Sequence, residues 1–479
     1  MCGIAGVINH PVAAHKALHA VTELRHRGQG RRGVATSSSG NQPYVRIEKH
    51  GRPLLDSVES QRQLFGSAAL AFGRYPTSGS NDNEVDTQPA FADGIVGGRE
   101  VRLVLVENGD TPCLEEFREK YEDLRSTTEA EPLARYLIDR LESGKPIIQA
   151  LQELVVEYDG AFAMIVLYDG KMYLVRDRQA MRPLWFGTGT RQSNRKFQAA
   201  ASEDVALRSI GVIPEREVGP GEIIVIGPMG LEVCIPYQGP KTRLAKCLFE
   251  PVYFAGVVSE ILGVKAEFFR FILGKIIGER LKQNGKEVDA VGSVPDSSNP
   301  FAEGVAEGLG VRLTHALIRK HRAGRTFIDE TGDRPRSVRE KFQVSLRIKG
   351  LRLMLVDDSI IRGSTMLELG KLIRASGNLA EFHVVAGSPP VVANCYYGIN
   401  QKTPNKLIAR QFLNPEGVVD IEALAKHLNL TSLTYATLEE MFQVLQELGA
   451  DPEEFCAACW NLKYPTPGGQ AIADRTLKM

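Results

Sequence analysis

Leu353-Met354-Leu355-Val356-Asp357-Asp358-Ser359-Ile360-Ile361-Arg362-Gly363-Ser364-Thr365 decides the architecture of the second half of this chain. A short apolar run of this kind reads as a buried strand, and it ends in two acids and a small-residue loop that opens a helix. In an open α/β sheet, ligands bind beyond the carboxyl ends of the strands, so Asp357 and Asp358 stand where a ligand is expected. Backbone amides around Gly363, Ser364 and Thr365, aided by the helix N-terminus, are suited to a phosphate. The acids suit sugar hydroxyls and a magnesium ion. Two aspartates at a strand end also occur in response-regulator receiver domains, and the loop that follows argues against that reading.

Around this motif the pattern alternates strand and helix, as in an open, mostly parallel sheet. Helices are predicted from about Ala266 to Gln283, Pro300 to Leu309, Ser364 to Ala375 and Leu438 to Leu448, with strands at Val288 to Val294 and Leu351 to Val356. The loop Val294-Pro295-Asp296-Ser297-Ser298-Asn299-Pro300 also joins a strand to a helix, and by itself reads as an N-cap. The run Arg319-Lys320-His321-Arg322-Ala323-Gly324-Arg325-Thr326-Phe327-Ile328, with Arg334, Arg336 and Arg339 after it, would ordinarily be a solvated charged face. Beside a phosphate loop it reads more economically as a cationic flap over an anionic leaving group.

The first ~240 residues differ, with short β-rich runs between turn signals at Val101 to Glu107, Ala161 to Tyr168, Met172 to Val175 and Glu222 to Ile226. Helices are predicted at Leu114 to Leu124 and Pro132 to Ser143, which suits sheets covered by helices. The polar stretch Tyr237 to Lys246, containing Gly239-Pro240, is the expected boundary. At the start, Met1-Cys2-Gly3-Ile4-Ala5-Gly6 would expose Cys2 as the N-terminal residue once Met1 is removed. An N-terminal cysteine combines a nucleophile with an α-amine of pKa ~7.7–8.0 that can take the thiol proton. The competing reading is a small buried residue at the start of the strand Cys2 to Ile8.

Composition narrows the function classes. Lys plus Arg and Asp plus Glu both number 58, so broad affinity for nucleic acid or anionic membranes is not expected and any phosphate site is local. No apolar run reaches the roughly 18–20 residues of a membrane span and no signal peptide is evident, so a cytoplasmic protein is expected. Seven cysteines in 479 residues are too few and too scattered for a disulfide framework. Cys456-Ala457-Ala458-Cys459 is a CxxC pair that alone could be a zinc half-site, a redox pair or two buried thiols.

Cys2, Arg25-His26-Arg27-Gly28-Gln29, Gly73-Arg74-Tyr75-Pro76-Thr77 and Asn108-Gly109 together resemble the glutaminase domain of class II, N-terminal-nucleophile amidotransferases. The segment 353–365 resembles the phosphoribosyl pyrophosphate (PRPP) motif of type I phosphoribosyltransferases. The two halves occur in this order in the glutamine PRPP amidotransferases. Cys247-Leu248-Phe249-Glu250, Asn394-Cys395-Tyr396-Tyr397-Gly398 and Cys456-Ala457-Ala458-Cys459-Trp460 resemble their cluster-bearing branch.

The resemblance implies an α/β protein: a layered αββα glutaminase domain over 2–240, then a phosphoribosyltransferase domain over 247–465 with a C-terminal metal-cluster segment. It implies formation of 5-phosphoribosylamine, glutamate and pyrophosphate from PRPP, glutamine and water, the first step of purine synthesis. Cys2 would attack the glutamine amide, with the oxyanion held by Asn108 and Gly109. Arg27, Arg74, Thr77 and Glu129 would serve the glutamine site, Arg74 through its carboxylate. Asp296, Ser297, Ser298, Lys320, Arg322, Arg325, Asp357, Asp358, Ser359, Arg362, Gly363, Ser364 and Thr365 would bind PRPP. Magnesium would sit at Ser297, Asp357 and Asp358, and a [4Fe–4S] cluster, with zinc as the alternative, on Cys247, Cys395, Cys456 and Cys459. A homo-oligomer without nucleic-acid or membrane partners is expected, with uncharged ammonia passing between the sites through a water-excluded channel.

Several positions depart from the family pattern. Gly30 replaces the acid expected after Gln29, and Arg31 and Arg32 follow it. Glu107 replaces the histidine before Asn108, and Glu129 is one methylene longer than the aspartate expected to bind the glutamine amino group. Phe254-Ala255-Gly256-Val257 lacks the usual Arg-Pro-Asp-Ser continuation, and His321 and Ala323 replace common asparagine and tyrosine residues. These changes define the alternative: a divergent relative with impaired glutaminase, dependent on ammonia or acting as a PRPP-binding regulator.

Overall fold

The computed structural model describes residues 1–28, 30–37, 45–50, 64–75, 83–320, 334–399 and 404–477. Its first part carries the strands β1 (Gly3–Ile8), β2 (Arg32–Ser37), β3 (Val45–His50), β4 (Ala68–Gly73), β5 (Ala90–Val96), β6 (Arg99–Asp110), β7 (Ala161–Tyr168), β8 (Lys171–Arg176), β9 (Trp185–Thr190), β10 (Lys196–Ala201), β11 (Val212–Glu217), β12 (Ile223–Gly227) and β13 (Gly230–Ile235). They form two antiparallel sheets, ordered β11-β9-β10-β1-β4-β2-β3 and β13-β12-β8-β7-β6-β5.

Alternation along each strand explains the stacking. In β1, Ile4 and Ile8 join Val104 and Val106 of β6 in the apolar layer between the sheets. Ala5 and Val7 point the other way, into a layer covered by the alanine-rich helix Ala13–Glu23. Leu103 and Leu105 of β6 face the helices Ala130–Glu142 and Ile147–Glu157. The result is helix, sheet, sheet, helix, as expected.

The second part is built on five parallel strands in the order Arg312–Leu313, Ala290–Ser293, Arg352–Asp357, Glu381–Ala386, Ser432–Tyr435. Helices Ala266–Gln283, Asn299–Leu309, Ser364–Gly377 and Leu438–Glu447 match their expected positions closely. One expectation fails: the helix predicted over Leu114 to Leu124 stops at Arg118. The Arg118 guanidinium donates to the Ser126 carbonyl at 2.6 Å, and Tyr121 is drawn to Asp139 on the next helix. Tertiary partners thus compete with continued helical bonding.

The two parts are joined through buried charge as well as apolar surface. Arg27 is fully buried and bridges Glu203 of the first part (2.6 Å) to Glu250 of the second (2.8 Å). Arg182 reaches Glu250 at 3.4 Å and the Tyr397 carbonyl at 2.9 Å. Glu203 also accepts from His26, from the Gly256 amide and from the Ser259 hydroxyl. The divergent segment after Phe254 is therefore docked onto the first part through Glu203.

Candidate functional site

Cys2 and Asn108 meet at the edge of the inter-sheet layer because both lie on inward faces of their strands. The Cys2 amide donates to Asn108 Oδ1 at 2.9 Å, and Asn108 Nδ2 is buried with no hydrogen-bond partner. Cys2 Sγ lies 3.5 Å from both the carbonyl and the amide of Tyr75. Arg27 Nε donates to the Cys2 carbonyl at 3.4 Å, so its side chain is committed to Cys2 and to two carboxylates. Met1 is buried, with its ammonium 2.9 Å from the Gly398 carbonyl, so its removal would leave the Cys2 nitrogen as a free amine beside Asn108.

Gly109 admits no side chain: a Cβ there would stand 1.9 Å from the Ala161 carbonyl oxygen. Gly398 of the second part closes over Gly109 from the other side. Arg74 is buried and donates to the Asp86 carbonyl, while the Asp86 carboxylate accepts from the Thr127 amide (2.7 Å) and Ser126 hydroxyl (3.2 Å). This ties Arg74 to the turn leading into Glu129, which is buried, as is Glu107. Thr77 lies outside the described residues, as do Gln29, His321, Ala323, Arg322 and Arg325.

In the second part, the two loops expected to share a ligand are bonded to each other. The Ser297 hydroxyl donates to Asp358 Oδ2 at 2.6 Å, and that of Ser298 to Asp357 Oδ1 at 3.3 Å. Ser359 donates to Asp358 Oδ1 at 2.8 Å. Burial, and then the neighbouring Asp358, raise the Asp357 carboxyl well above its usual range, although part of the residue is open to solvent. Gly363 caps the helix Ser364–Gly377 at φ +71°, where a Cβ would meet Ile408 Cδ1 at 2.3 Å. Ser364 and Thr365 open that helix, with the half-buried Arg362 just before it. Lys320 donates to the Arg339 carbonyl at 2.8 Å. Arg319, which sequence reading placed only within a basic run, forms an ion pair with Asp296 at 2.9 Å and donates to the Pro295 carbonyl at 3.0 Å.

Cys247, Cys395, Cys456 and Cys459 line one cavity together with Met181, Arg182, Ile399 and Tyr464. Short parallel strands put Cys247 in register with Cys456, and the Cys459 carbonyl accepts from the Val392 and Ala393 amides, both at 3.1 Å. Burial pushes the Cys247 thiol up to about 11, against the pull of Arg182, and that of Cys456 to about 12. Among the described residues, no three His, Cys, Asp or Glu side chains converge closely enough to hold a single metal ion. None of the described helices is long and apolar enough to cross a membrane. The Arg27–Glu203–Glu250–Arg182 chain was missed in sequence reading, because no motif marks carboxylates that meet an arginine across a domain interface.

A two-sheet sandwich with a cysteine at its first strand, coupled to a parallel sheet with a phosphate-type loop, defines a class: amidotransferases that join an N-terminal-nucleophile glutaminase to a phosphoribosyltransferase. The amidophosphoribosyltransferase of Methanocaldococcus jannaschii is 30% identical over 494 aligned residues, covering 97% of this chain and 98% of the relative. That of Synechococcus elongatus is 31% identical, covering 94% and 88%. The chain belongs to the amidophosphoribosyltransferase family. Among solved structures, glutamine PRPP amidotransferase from B. subtilis, complexed with ADP and GMP, superposes with a TM-score of 0.81 at 25% identity over 97% of both chains. A second, described as the allosteric regulatory enzyme of purine biosynthesis, gives 0.82 at 25% identity, covering 97% of this chain and 96% of its own. No family profile matches the chain.

Proposed function

We propose that this protein transfers the amide nitrogen of glutamine to PRPP, giving 5-phosphoribosylamine, glutamate and pyrophosphate. The observation that carries the glutaminase half is Asn108, whose Oδ1 holds the Cys2 nitrogen at 2.9 Å while its buried Nδ2 has no partner. A buried amide donor left unpaired costs free energy, and an oxyanion formed beside Cys2 would satisfy it. In this reading the Cys2 thiol gives its proton to its own α-amine and attacks the glutamine amide carbon. The same amine returns the proton to the departing ammonia, and water then releases glutamate from the thioester. Arg74 takes the glutamine carboxylate and Glu129 its ammonium, while Arg27 positions Cys2.

Ammonia must stay uncharged on its way to PRPP. The Tyr75 ring beside Cys2 packs edge-on against Phe254 of the second part, with centroids 5.9 Å apart, which gives that route an apolar entrance. At its far end, Asp357, Asp358 and Ser359, with the helix start at Gly363, Ser364 and Thr365, would hold the ribose and 5-phosphate, and the loop carrying Ser297 and Ser298 would face the pyrophosphate. Asp296 and Arg319 would face the pyrophosphate side with Lys320. Magnesium fits a pair of carboxylates because it binds through one or two of them plus water and substrate phosphate. It would supply charge neutralisation for the leaving group.

The cysteine cavity fits a [4Fe–4S] cluster better than zinc. A cluster gives each thiolate its own iron around a shared volume, whereas zinc needs all four sulfurs about 2.3 Å from one point. The cluster would tie the C-terminal segment to the body of the protein. Iron and acid-labile sulfide in equal amounts on the purified protein support it, and stoichiometric zinc overturns it.

Phosphoribosylamine formation with glutamine and with ammonia is the test of function. Activity with both is expected, and Cys2→Ala should lose glutamine-dependent turnover while ammonia still supports the reaction. Activity with ammonia alone would locate a defect in the first half. Neither activity, with PRPP still bound, would favour a PRPP-binding regulator.

A further inference from the structure

Away from both sites, a cavity of about 320 Å³ opens at the end of the seven-stranded sheet where β1 finishes. The 6 residues of β1, at ~3.3 Å each, put it roughly 20 Å from Cys2, at the opposite end of the same strand. Asn9 takes a left-handed backbone, φ +68°, that turns the chain out of β1. The hairpin turn between β9 and β10, closed by the Arg191 amide on the Arg195 carbonyl at 2.9 Å, brings Arg191, Arg195 and Lys196 to the same end.

The wall of this cavity carries charge of one sign. Arg191, Arg195 and Lys196 line it; among the described residues no Asp or Glu does, and none of the three cations makes an ion pair or a side-chain hydrogen bond. His10 is the buried member of the set, 9% exposed, with its ring edge-on to Phe197 at 4.7 Å. Its Nδ1 accepts from the Val12 amide at 3.2 Å, so the neutral ring carries its proton on Nε2, which has no partner among the described residues. Burial first, then Lys16 and Arg191, push the imidazole down to about 4, so it meets the cavity as a neutral donor. Cations gathered without an acid repel one another, and an anion among them would relieve that repulsion and satisfy the histidine donor.

We propose that this cavity binds a small phosphorylated compound, with Arg191, Arg195 and Lys196 on its phosphate and His10 Nε2 donating to it. A phosphate monoester concentrates about 1.5 to 2 negative charges and three strong acceptor oxygens in one group that several cations can share. A carboxylate offers a single charge. Forked guanidinium donors match phosphate oxygens in pairs. The volume lies at the lower end of the range for small-molecule sites, which suits a sugar phosphate better than a dinucleotide. Asn9 and Ser37 give the sugar a polar wall, and Asn9 is itself held by Nδ2 donating to Gln198 Oε1 and the Gly227 carbonyl, both at 3.0 Å. The site shares no residue with the Cys2 region or with the phosphate-type loop, so it stands whether or not the proposed reaction does.

Ribose 5-phosphate, added to the full-length protein, is the probe, and lysine acylation read by peptide mass spectrometry separates this site from the phosphate-type loop. Ribose 5-phosphate should slow modification of Lys196 several-fold, and ribose should not. In Arg191→Gln/Arg195→Gln the concentration that protects Lys196 should rise at least about tenfold. The nitrogen-15 signals of His10 should move with the same midpoint in the wild type. No protection of Lys196, equal protection by ribose, or protection that the double substitution leaves unchanged overturns the proposal. Equal protection by citrate reveals a general anion patch and overturns the assignment to phosphate. If the double variant does not fold, the His10 signals decide: movement with ribose 5-phosphate and not with ribose upholds the site, and no movement overturns it.

Discussion

Asn108 depends on its neighbours for its meaning. Its side chain is split between one oxygen that holds the Cys2 nitrogen and one buried nitrogen with no partner. Asn108→Ala removes the donor and should lower glutamine-dependent kcat by about 10²–10³, the usual cost of losing one oxyanion donor, with a smaller effect on KM. Steady-state kinetics with glutamine and then with ammonia check this, since only the former should fall. Cys2, Asn108 and Gly109 could be picked out as candidates from the sequence, because a cysteine next to the initiator methionine and an Asn-Gly pair are short patterns. That Gln88 clamps Glu107 could not, because the contact joins residues 19 apart in sequence that meet only through the pairing of two strands.

The loop-to-helix unit at 357–377 works as a single element. Its apolar strand was legible from composition, its acids from their place at the strand end, and its glycine from the helix start. The structure adds why the glycine is required, since φ at Gly363 is +71° and Ile408 occupies the space of a Cβ. Gly363→Ala should destabilise the protein by about 1 kcal/mol or more and raise KM for PRPP more than it lowers kcat. Thermal unfolding and PRPP-dependent kinetics measure the two parts. The helix predicted beyond Arg118 shows the converse: helical spacing was present, but Arg118 and Tyr121 find partners outside the helix.

In the whole molecule, the two halves are clasped by Arg27, Glu203, Glu250 and Arg182, with no solvent reaching Arg27 or the two glutamates. Deleting one partner strands a buried charge, so Glu250→Ala should cost about 3–5 kcal/mol in unfolding measurements. Burial works to raise the Glu203 carboxyl, but His26, Arg27 and Ser259 pull it far below the ordinary glutamate value. A carboxyl depressed by folding stabilises the protein fully above its unfolded pKa of about 4.3, and that stability is lost as pH falls toward the folded value. The melting temperature should therefore drop in acid below about pH 4.3, with a shallower drop in Glu203→Gln. The sequence by itself determined the order of the two halves and marked the candidate nucleophile, the phosphate-type loop and the four cysteines, because local periodicity and short motifs are written in neighbouring residues. Only the tertiary structure decided how those pieces meet: the buried clasp and the shared cysteine cavity arise from contacts between distant segments, where burial changes what each charge can do.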